Sequence, residues 1–331
     1  MKILLAASLL LVAHAANASS DGQDLPAHFE ANRVYVVPML ANGQSLRFYT
    51  DSGGGANLLC RKAATREGIA TRPMPAGRQK ESDLGKNVSM AHLPAFAPGK
   101  SIPANADGND SLIVFDCPDK AGLAASDIGD GFLSSRWFAG RTWTWDYPDG
   151  RLRLEGSKFT PDPRAHAIGL GLVARKPGEQ GLAFVRIAII VDGKPLQMLY
   201  DTGATTMLTP AAMDAVNDGL PAVRATSFVT HSTLQAWHTA HPDWRVIDKA
   251  EAGMDARMIE VPKVDIAGYR TGPVWFTERP DKNFREWMSS MMDKPVEGAV
   301  GGDLFRHFVI TVDYPKAKAY FFCANGCADA R

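Results

Sequence analysis

The chain has 331 residues, 45% of them apolar, which is enough to bury two domain-sized hydrophobic cores. Lys plus Arg and Asp plus Glu number 36 each, so the formal net charge is zero. Because there is no basic field to attract phosphate groups, the composition argues against nucleic acid or an anionic membrane surface as a partner.

The N-terminus predicts an export signal over residues 1–18. Lys2 precedes an apolar run from Ile3 to Ala15, and small-residue triplets suited to cleavage follow. The run is shorter than the ~20 residues that a membrane-spanning helix needs, and no later segment is long enough. No cysteine lies near the triplets, so a lipid anchor is not expected. We therefore expect a mature protein that is periplasmic or secreted.

After this signal the sequence repeats itself. A β-rich run, a turn dipeptide, a second apolar run and an Asp-(Ser/Thr)-Gly triplet occur over Arg33–Leu59 and again over Phe184–Pro210. The turn dipeptides, Asn42-Gly43 and Asp192-Gly193, predict two-residue hairpins in which both central positions have positive φ. Since the two copies lie at a constant offset of 150 residues, they predict two halves with the same fold.

A second pair of matching blocks closes each half. Residues 128–133 match residues 300–305, and residues 145–148 match residues 312–315. The offset falls by about five residues between the two blocks, which predicts an insertion in the first half near residues 139–144. Each half therefore ends with a hydrophobic-Gly turn, a short helical stretch and a hairpin.

The lobes are predicted at residues 19–157 and 182–331, joined by a Pro- and Gly-rich linker at 158–181 that holds one strand over 167–174. In the first lobe, residues 84–116 predict strand and loop. In the second, residues 210–217 and 280–293 predict helices that start at a proline. The second helix carries an apolar cluster at helical spacing, which favours core over a cleft wall. Its members are Phe284, Trp287, Met288, Met291 and Met292.

Four cysteines in a chain bound for an oxidising compartment predict two disulfides. Cys323 and Cys327 are close enough in sequence to close a small loop, which leaves Cys60 to pair with Cys117. Four free buried thiols are the alternative. Zinc binding is less favoured because neither pair has the Cys-x2-Cys spacing of a zinc knuckle.

The blocks Tyr49–Gly54 and Leu199–Ala204, each followed by a hydrophobic-Gly element, resemble the active-site motifs of retropepsin-like and pepsin-like aspartic proteases. The resemblance covers both halves in outline and only these blocks in detail. It implies a mostly β, two-lobed, internally duplicated, acid-protease-like closed β-barrel fold with a few short helices. It also implies an aspartic endopeptidase, a hydrolase that acts as a monomer on peptide or protein substrates without metal or other cofactor. By this resemblance Asp51 and Asp201 are the catalytic pair, Ser52 and Thr202 the inter-lobe hydroxyls, and Gly53, Gly203, Gly129 and Gly301 the turn glycines.

The chemistry follows from bringing one carboxyl from each lobe together. Two buried carboxylates at close range cannot both ionise cheaply, so the pair shares a proton, as is known for aspartic proteases. The ionised member takes a proton from water, which attacks the peptide carbonyl, while the protonated member donates to the carbonyl oxygen. Gly54 and Ala204 stand where pepsin-like enzymes place a hydroxyl. We therefore expect activity to persist toward mildly acidic or near-neutral pH.

Several alternatives stay open at this stage. In one alternative, Asp51 and Asp201 are ordinary turn residues whose side chains cap backbone amides. In another, the chain is a catalytically silent bilobal β protein that binds peptide or a protein partner. The flap tyrosine of pepsin-like enzymes has no counterpart, since no Tyr occurs between Tyr49 and Tyr147, and residues 87–99 are the candidate flap. A metal site built from His231, His238 and His241 matches no known ligand spacing.

Overall fold

The computed structural model describes residues 22–75, 87–117, 128–173 and 182–330, and it is mostly β, with 40% strand and 15% helix. The predicted export signal lies outside the described residues. The strands are β1 (Gln23–Asp24), β2 (Ala27–Glu30), β3 (Arg33–Val36), β4 (Phe48–Asp51), β5 (Leu58–Cys60), β6 (Arg72–Pro73), β7 (Ser89–His92), β8 (Ser111–Phe115), β9 (Gly131–Ser134), β10 (Thr142–Asp146), β11 (Arg151–Leu154), β12 (His166–Gly169), β13 (Arg186–Val191), β14 (Lys194–Tyr200), β15 (Thr205–Met207), β16 (Val223–Ala225), β17 (Ser227–Thr230), β18 (Val246–Ile247), β19 (Met258–Val261), β20 (Val264–Ile266), β21 (Tyr269–Thr271), β22 (Val274–Arg279), β23 (Gly298–Val300), β24 (Phe308–Asp313), β25 (Lys318–Cys323) and β26 (Cys327–Asp329).

Helices are short and lie between these strands. The α-helices span Arg61–Arg66, Ser135–Phe138, Pro210–Val216, His231–Ala240 and Gly302–Phe305. A π-helix over Lys282–Met288 continues directly into a 3-10 helix over Ser289–Met291.

The two halves share one strand topology. The first sheet has the order β2-β3-β4-β9-β5-β8-β7-β6. Seven strands of the second sheet follow in the matching order β13-β14-β23-β17-β22-β19-β18. Every pair agrees in direction as well: β4 with β9 and β14 with β23 are parallel, as are β5 with β8 and β17 with β22. The predicted duplication is therefore present in the strand pairing of the described residues.

The second half adds elements to this shared plan. β15, the helix Pro210–Val216 and β16 lie between the Asp201 turn and β17. The hairpin β20–β21 and the π-helix flank β22, and β26 adds a further edge strand beside β21. Apart from β26, which follows the final hairpin, these additions occur in the middle segment, where the two halves of the sequence cannot be aligned.

A third, six-stranded sheet joins the halves in the order β1-β11-β10-β24-β25-β12. β10 of the first half pairs antiparallel with β24 of the second, and Thr144 lies opposite Thr311 with their hydroxyl oxygens 2.7 Å apart. Trp145 on β10 contacts Tyr200, at 5.7 Å between ring centroids, so the hydrophobic core continues across the boundary. None of the three large sheets closes on itself through the described pairings, so the predicted closed barrel is not confirmed.

The two hairpin turns differ. Asp192 and Gly193 have φ of 51° and 69°, and Val191 pairs with Lys194, which confirms the predicted two-residue turn. Of the dipeptide Asn42-Gly43 only Gly43 has positive φ, and the amide of Leu40 donates to the Gln44 carbonyl. The first loop is therefore one residue longer than predicted, with glycine in its left-handed position.

Other predictions met mixed outcomes. The helix Pro210–Val216 is present, but the predicted helix over 280–293 is shorter and begins as a π-helix. The linker strand is β12, which is shorter than predicted and pairs with β25. Both predicted cysteine pairs lie at disulfide distance, with Cα separations of 5.2 Å for Cys60–Cys117 and 6.3 Å for Cys323–Cys327. The part of the chain that the structure describes contains no helix long and apolar enough to span a membrane.

Candidate active site

Asp51 and Asp201 meet at the boundary between the two halves. Asp51 is the last residue of β4 and pairs with Ser134 on the parallel strand β9. Asp201 directly follows β14, and its amide donates to the carbonyl of Val300 on β23 at 3.0 Å. The side chains of the two aspartates are hydrogen-bonded to each other. The two carboxyls, one from each half, therefore lie together as expected.

Glycine is required at positions 53 and 203, which directly follow Ser52 and Thr202. A Cβ added at Gly203 would lie 2.3 Å from Oδ1 of Asp51, and one added at Gly53 would lie 2.6 Å from Cγ of Asp201. Each carboxyl thus rests against the glycine of the opposite half. Because a real Cβ never approaches a neighbour so closely, any other residue would displace the carboxyl.

Ser52 and Thr202 tie the two turns together with reciprocal hydrogen bonds. The amide of Thr202 donates to Oγ of Ser52 at 2.9 Å, and the amide of Ser52 donates to Oγ1 of Thr202 at 3.1 Å. Each hydroxyl then donates to a carbonyl of the other half: Ser52 to Tyr200 at 2.9 Å and Thr202 to Thr50 at 3.2 Å. The structure therefore places both side chains in the inter-lobe position that the resemblance implies.

The electrostatics of the pair favour a shared proton. Burial raises the pKa of Asp51 well above its usual value, and the charge of Asp201 raises it further. Burial also raises the pKa of Asp201, although its hydrogen bonds with the Gly203 amide and with Asp51 act in the opposite direction. The two carboxyls therefore share a proton, and the pair titrates as a unit.

Backbone amides supply the hydrogen bonds that stabilise the ionised carboxyl. The amide of Gly203 donates to Oδ1 of Asp201 at 2.8 Å, and the amides of Gly53 and Gly54 lower the pKa of Asp51. At Gly54 an added Cβ would lie 2.7 Å from Oδ2 of Asp51, so a side chain there has no room. Ala204 is fully buried and already carries a Cβ. Of positions 54 and 204, only 204 therefore already accommodates a Cβ.

The structure corrects the predicted role of Gly129. Gly301 pairs with the Asp201 turn, and the residue in the equivalent register of the first half is Ser134, opposite Asp51. Gly129 instead lies in the turn before β9, with φ of 72°, and an added Cβ would lie 2.4 Å from the Arg47 carbonyl oxygen. It is a conformational glycine remote from the pair. The predicted insertion near residues 139–144 is wrong for the same reason, since the corrected register needs none.

Sequence reasoning missed a second pair of equivalent glycines. Gly131 and Gly298 each lie where an added Cβ would come within 2.1 Å of a carbonyl oxygen, that of Leu58 in the first half and of Phe228 in the second. These close approaches bring β5 against β9 and β17 against β23, the strands that flank the pair. Extending the alignment of the final hairpins upstream without a gap would have found both glycines.

The residues beside Ser134 and Gly301 differ between the halves. In the first half, Oδ1 of Asn57 accepts from both the amide and the hydroxyl of Ser134, each at 2.9 Å. In the second half, the hydroxyl oxygen of Ser227 accepts from the Gly301 amide at 3.2 Å and the hydroxyl donates to Asp303. The side-chain amide of Asn57 thus supports Ser134 in the first half, whereas the Ser227 hydroxyl and the buried Asp303 carboxyl support Gly301 in the second.

Other predicted features lie elsewhere. Phe284, Met288 and Met292 are buried in a cluster with Leu199, whereas Trp287 is 63% exposed, so it is not core. The candidate flap over 87–99 contains β7, which pairs antiparallel with β6; residues 76–86 lie outside the described part of the chain.

The histidine-metal alternative finds little support in the geometry. His231 opens the helix His231–Ala240 and contacts Glu278, and His241 lies 3.2 Å from Asp192. Across residues 22–75, 87–117, 128–173 and 182–330, no three His, Cys, Asp or Glu side chains are grouped to hold a metal ion. A cavity of about 830 Å³ near His231, lined also by Arg257 and Glu278, contains neither aspartate of the pair.

A comparison of the chain with protein-family models and a search of curated proteins both gave no match.

Proposed function

We propose that this protein is an aspartic endopeptidase that hydrolyses peptide bonds with a water molecule activated between Asp51 and Asp201. The observation that carries the proposal is the hydrogen bond between these two carboxyls, which come from opposite halves of a duplicated fold. Two buried carboxyls sharing one proton are simultaneously a general base and a general acid. That combination suits the attack of water on an amide carbonyl.

In the proposed cycle one member of the pair is ionised and the other carries the shared proton. Backbone amides stabilise a charge on either carboxyl, those of Gly53 and Gly54 on Asp51 and those of Gly203 and Gly53 on Asp201. The ionised member takes a proton from the attacking water, while the protonated member donates its proton to the carbonyl oxygen as the tetrahedral intermediate forms. When the carbon–nitrogen bond breaks, the carboxyl that took the proton from water donates it to the leaving amine. The other carboxyl recovers a proton from a hydroxyl of the intermediate, so the pair returns to its starting state.

The reciprocal hydrogen bonds of Ser52 and Thr202 would keep the carboxyls in register during this cycle. A displacement of about 1 Å in reacting groups typically costs about 100-fold in rate. Four buried hydrogen bonds across the boundary make such a displacement costly, because breaking any one leaves a buried polar group without a partner.

The fold, the cellular location and the oligomeric state belong to the same proposal. We propose an acid-protease-like fold of two lobes, over residues 19–157 and 182–331, with the substrate held extended between them. The two cysteine pairs at disulfide distance support a periplasmic or secreted location, where thiols are oxidised. Because one chain already supplies both carboxyls, we propose that it acts as a monomer.

The test is cleavage of a mixed peptide library by the purified protein without residues 1–18, over a series from about pH 3 to about pH 8. Products would be identified by mass spectrometry with and without pepstatin. Asp51→Asn and Asp201→Asn are the matched controls, since each keeps the shape of the side chain. We expect cleavage by the unsubstituted protein alone and its loss with pepstatin. A folded protein that binds the peptides but cleaves none at any pH would instead be the silent peptide-binding protein.

A further inference from the structure

Tyr49 places a hydroxyl of the first half against the second half. It lies two residues before Asp51 on β4 and is 4% exposed. Its ring contacts those of Tyr35 on β3 and Phe132 on β9, with centroids 5.1 Å and 5.9 Å away. The phenol oxygen lies 2.5 Å from Oγ1 of Thr205 in the second half. The first half therefore fixes the ring, while the hydroxyl reaches across the boundary.

Thr205 belongs to the ribbon formed by β15 and β16, one of the elements that the second half adds. It opens β15 and pairs with Ala225 on β16. The amide of Ala225 donates to the carbonyl of Ala31 at 3.0 Å, in the turn between β2 and β3 of the first half. The ribbon therefore meets the first half at two places. The contact that it makes with Tyr49 is only four residues from Asp201.

The Tyr49–Thr205 contact is one-sided. At the constant offset of 150 residues, Tyr49 corresponds to Leu199 and Thr205 to Gly55. Leucine carries no hydroxyl and glycine no side chain, so these two residues cannot repeat the hydrogen bond on the other side of the pair. Leu199 is instead buried among apolar residues of its own half. The strand before Asp51 is thus tied to the opposite half by a hydrogen bond that the strand before Asp201 cannot make.

The location of this hydrogen bond suits it to a task that the Ser52 and Thr202 bonds perform poorly. Those reciprocal bonds join equivalent turns at the centre of the boundary. They resist separation of the two turns but have little leverage against rotation of one turn relative to the other. A contact between non-equivalent residues lies away from that centre, so it opposes such a rotation. Because a misplacement of about 1 Å costs about 100-fold in rate, even a small rotation would matter.

The Tyr49 hydroxyl stays protonated at every pH at which the pair is active. Burial raises the pKa of Tyr49 well above its usual value, against the opposing effect of the Thr205 hydroxyl. The charges of Asp51 and Asp201 raise it further. The contact can therefore act on the rate of cleavage without altering its pH dependence.

We propose that Tyr49 and Thr205 are positioning residues for peptide hydrolysis, whose hydrogen bond holds the Asp51 and Asp201 turns at one angle across the boundary. The proposal rests on the proposed aspartic protease function. Each residue acts through the backbone that carries an aspartate, Tyr49 along β4 and Thr205 along the turn that leads into β15. The added ribbon then has a purpose, which is to present Thr205 to Tyr49.

The test is a cycle of Tyr49→Phe, Thr205→Val and the double variant, measured as kcat and KM for one fluorogenic peptide. Each single variant removes one hydroxyl and nearly keeps the shape of the side chain. We expect kcat of each to fall by about tenfold and KM to change by less than about twofold, because the angle of the pair matters in the transition state. The double variant should be no slower than the slower single variant, since both remove the same bond. Thr205→Ser should restore most of the rate.

Tyr269→Phe is the matched control. It removes the hydrogen bond that the Tyr269 hydroxyl donates to the Arg164 carbonyl at 3.3 Å, on β21, which lies three strands from β14 in the second sheet. Its kcat should equal that of the unsubstituted protein. The pH of maximal activity should be the same in all variants, and a displaced optimum in Tyr49→Phe would show that Tyr49 acts on the shared proton instead of on position.

Hydrogen–deuterium exchange tests the contact without any substrate. The amides of Ser52 and Thr202 are held by the reciprocal bonds across the boundary. Tyr49→Phe and Thr205→Val should speed exchange in the peptides that cover these two amides by about threefold or more, because rotation of the turns opens those bonds. Tyr269→Phe should leave the exchange unchanged.

The outcomes separate this proposal from the proposed function. Cleavage with unchanged kcat in both single variants would overturn the role of Tyr49 and Thr205 and leave the protease proposal standing. Losses that add in the double variant would reject it too, since they would not come from one bond. Absence of cleavage in every protein, the unsubstituted one included, would overturn the protease proposal itself. Equal exchange in the unsubstituted protein and both single variants would then reject the positioning role as well.

Discussion

Replacing Gly203 by alanine should separate the two carboxyls without changing their chemistry. The added Cβ would lie 2.3 Å from Oδ1, 2.4 Å from Cγ and 2.8 Å from Cβ of Asp51. Ordinary contacts begin near 3.4 Å, so the carboxyl must retreat by about 1 Å. A retreat of that size lengthens the hydrogen bond to Asp201 beyond a useful range.

The expected magnitudes follow from this displacement. Overpacking a buried site typically costs about 1–3 kcal/mol of stability, and a misplacement of about 1 Å costs about 100-fold in rate. We therefore expect kcat of Gly203→Ala to fall by about two orders of magnitude while the protein still folds. The assay is cleavage of a fluorogenic peptide at the optimal pH, with thermal unfolding followed by circular dichroism.

Gly55→Ala is the matched control for the same substitution. The nearest atom to a Cβ at Gly55 is Cδ2 of Leu182 at 3.5 Å, which is an ordinary contact. This variant should keep the unsubstituted kcat and gain slight stability from the reduced freedom of its unfolded chain. If Gly203→Ala kept full activity, or if both variants lost activity equally, the close approach of each carboxyl to the opposite glycine would not be what positions the pair.

Substitutions at three further positions test the site. Asp51→Asn should abolish cleavage and flatten stability against pH. The raised pKa of Asp51 makes the native stabilisation complete below about pH 4 and lost as pH rises through the folded value, which unfolding of both proteins across pH would measure. Thr202→Val should lower the free energy of unfolding by about 1–3 kcal/mol, because the Ser52 amide and the Thr50 carbonyl lose a buried partner. Thr202→Ser keeps the hydroxyl and should lower it much less. Urea unfolding that ranks the two variants equally would contradict this. Ala204→Ser should move the acidic limb of the pH–rate profile downward, since a hydroxyl beside the ionised carboxyl stabilises its charge, and an unmoved limb would show that the backbone amides alone set it.

The pair itself was predictable from sequence because its requirements are local. A carboxyl at a strand end, a hydroxyl that reaches the other half and a glycine against the opposite carboxyl occupy three consecutive positions, such as Asp51, Ser52 and Gly53. Their repetition at a fixed offset identifies the partner. The hydrogen bond between the two carboxyls then follows from the symmetry of the duplicated fold. Both cysteine pairs were predictable for a similar reason, since one pair is close in sequence and only one partner remains for the other.

The role of Gly129 was not predictable from a hydrophobic-Gly pattern alone. Residues 128–133 contain two glycines next to apolar residues, and the true counterpart of Gly301 is a serine. The serine is tolerated because the Asn57 side chain accepts both of its donors. The contact between Asn57 and Ser134, which are 77 residues apart in sequence, therefore allows a serine where the pattern expects a glycine.

The apolar cluster of the second half shows a different limit. Phe284, Met288 and Met292 recur at a spacing of four, which an α-helix and a π-helix both place on one face. The spacing therefore predicts the buried face but not the winding of the helix. Trp287 lies between these positions and is exposed, because the wider turn of a π-helix moves it away from the face that Phe284 and Met288 share.

Thr144 and Thr311 are equivalent residues of the two halves, and they face each other directly across the sheet that joins them. A contact between equivalent residues occurs only on a two-fold axis, and the Ser52–Thr202 and Asp51–Asp201 contacts lie on the same axis. In a symmetric dimer of two identical chains, the two carboxyls would be identical and would share the proton equally. Covalent fusion removes that constraint, so each half is free to diverge. Asn57 and its equivalent Ser227 show one such divergence, since they support the strand ends beside the two carboxyls with different side chains.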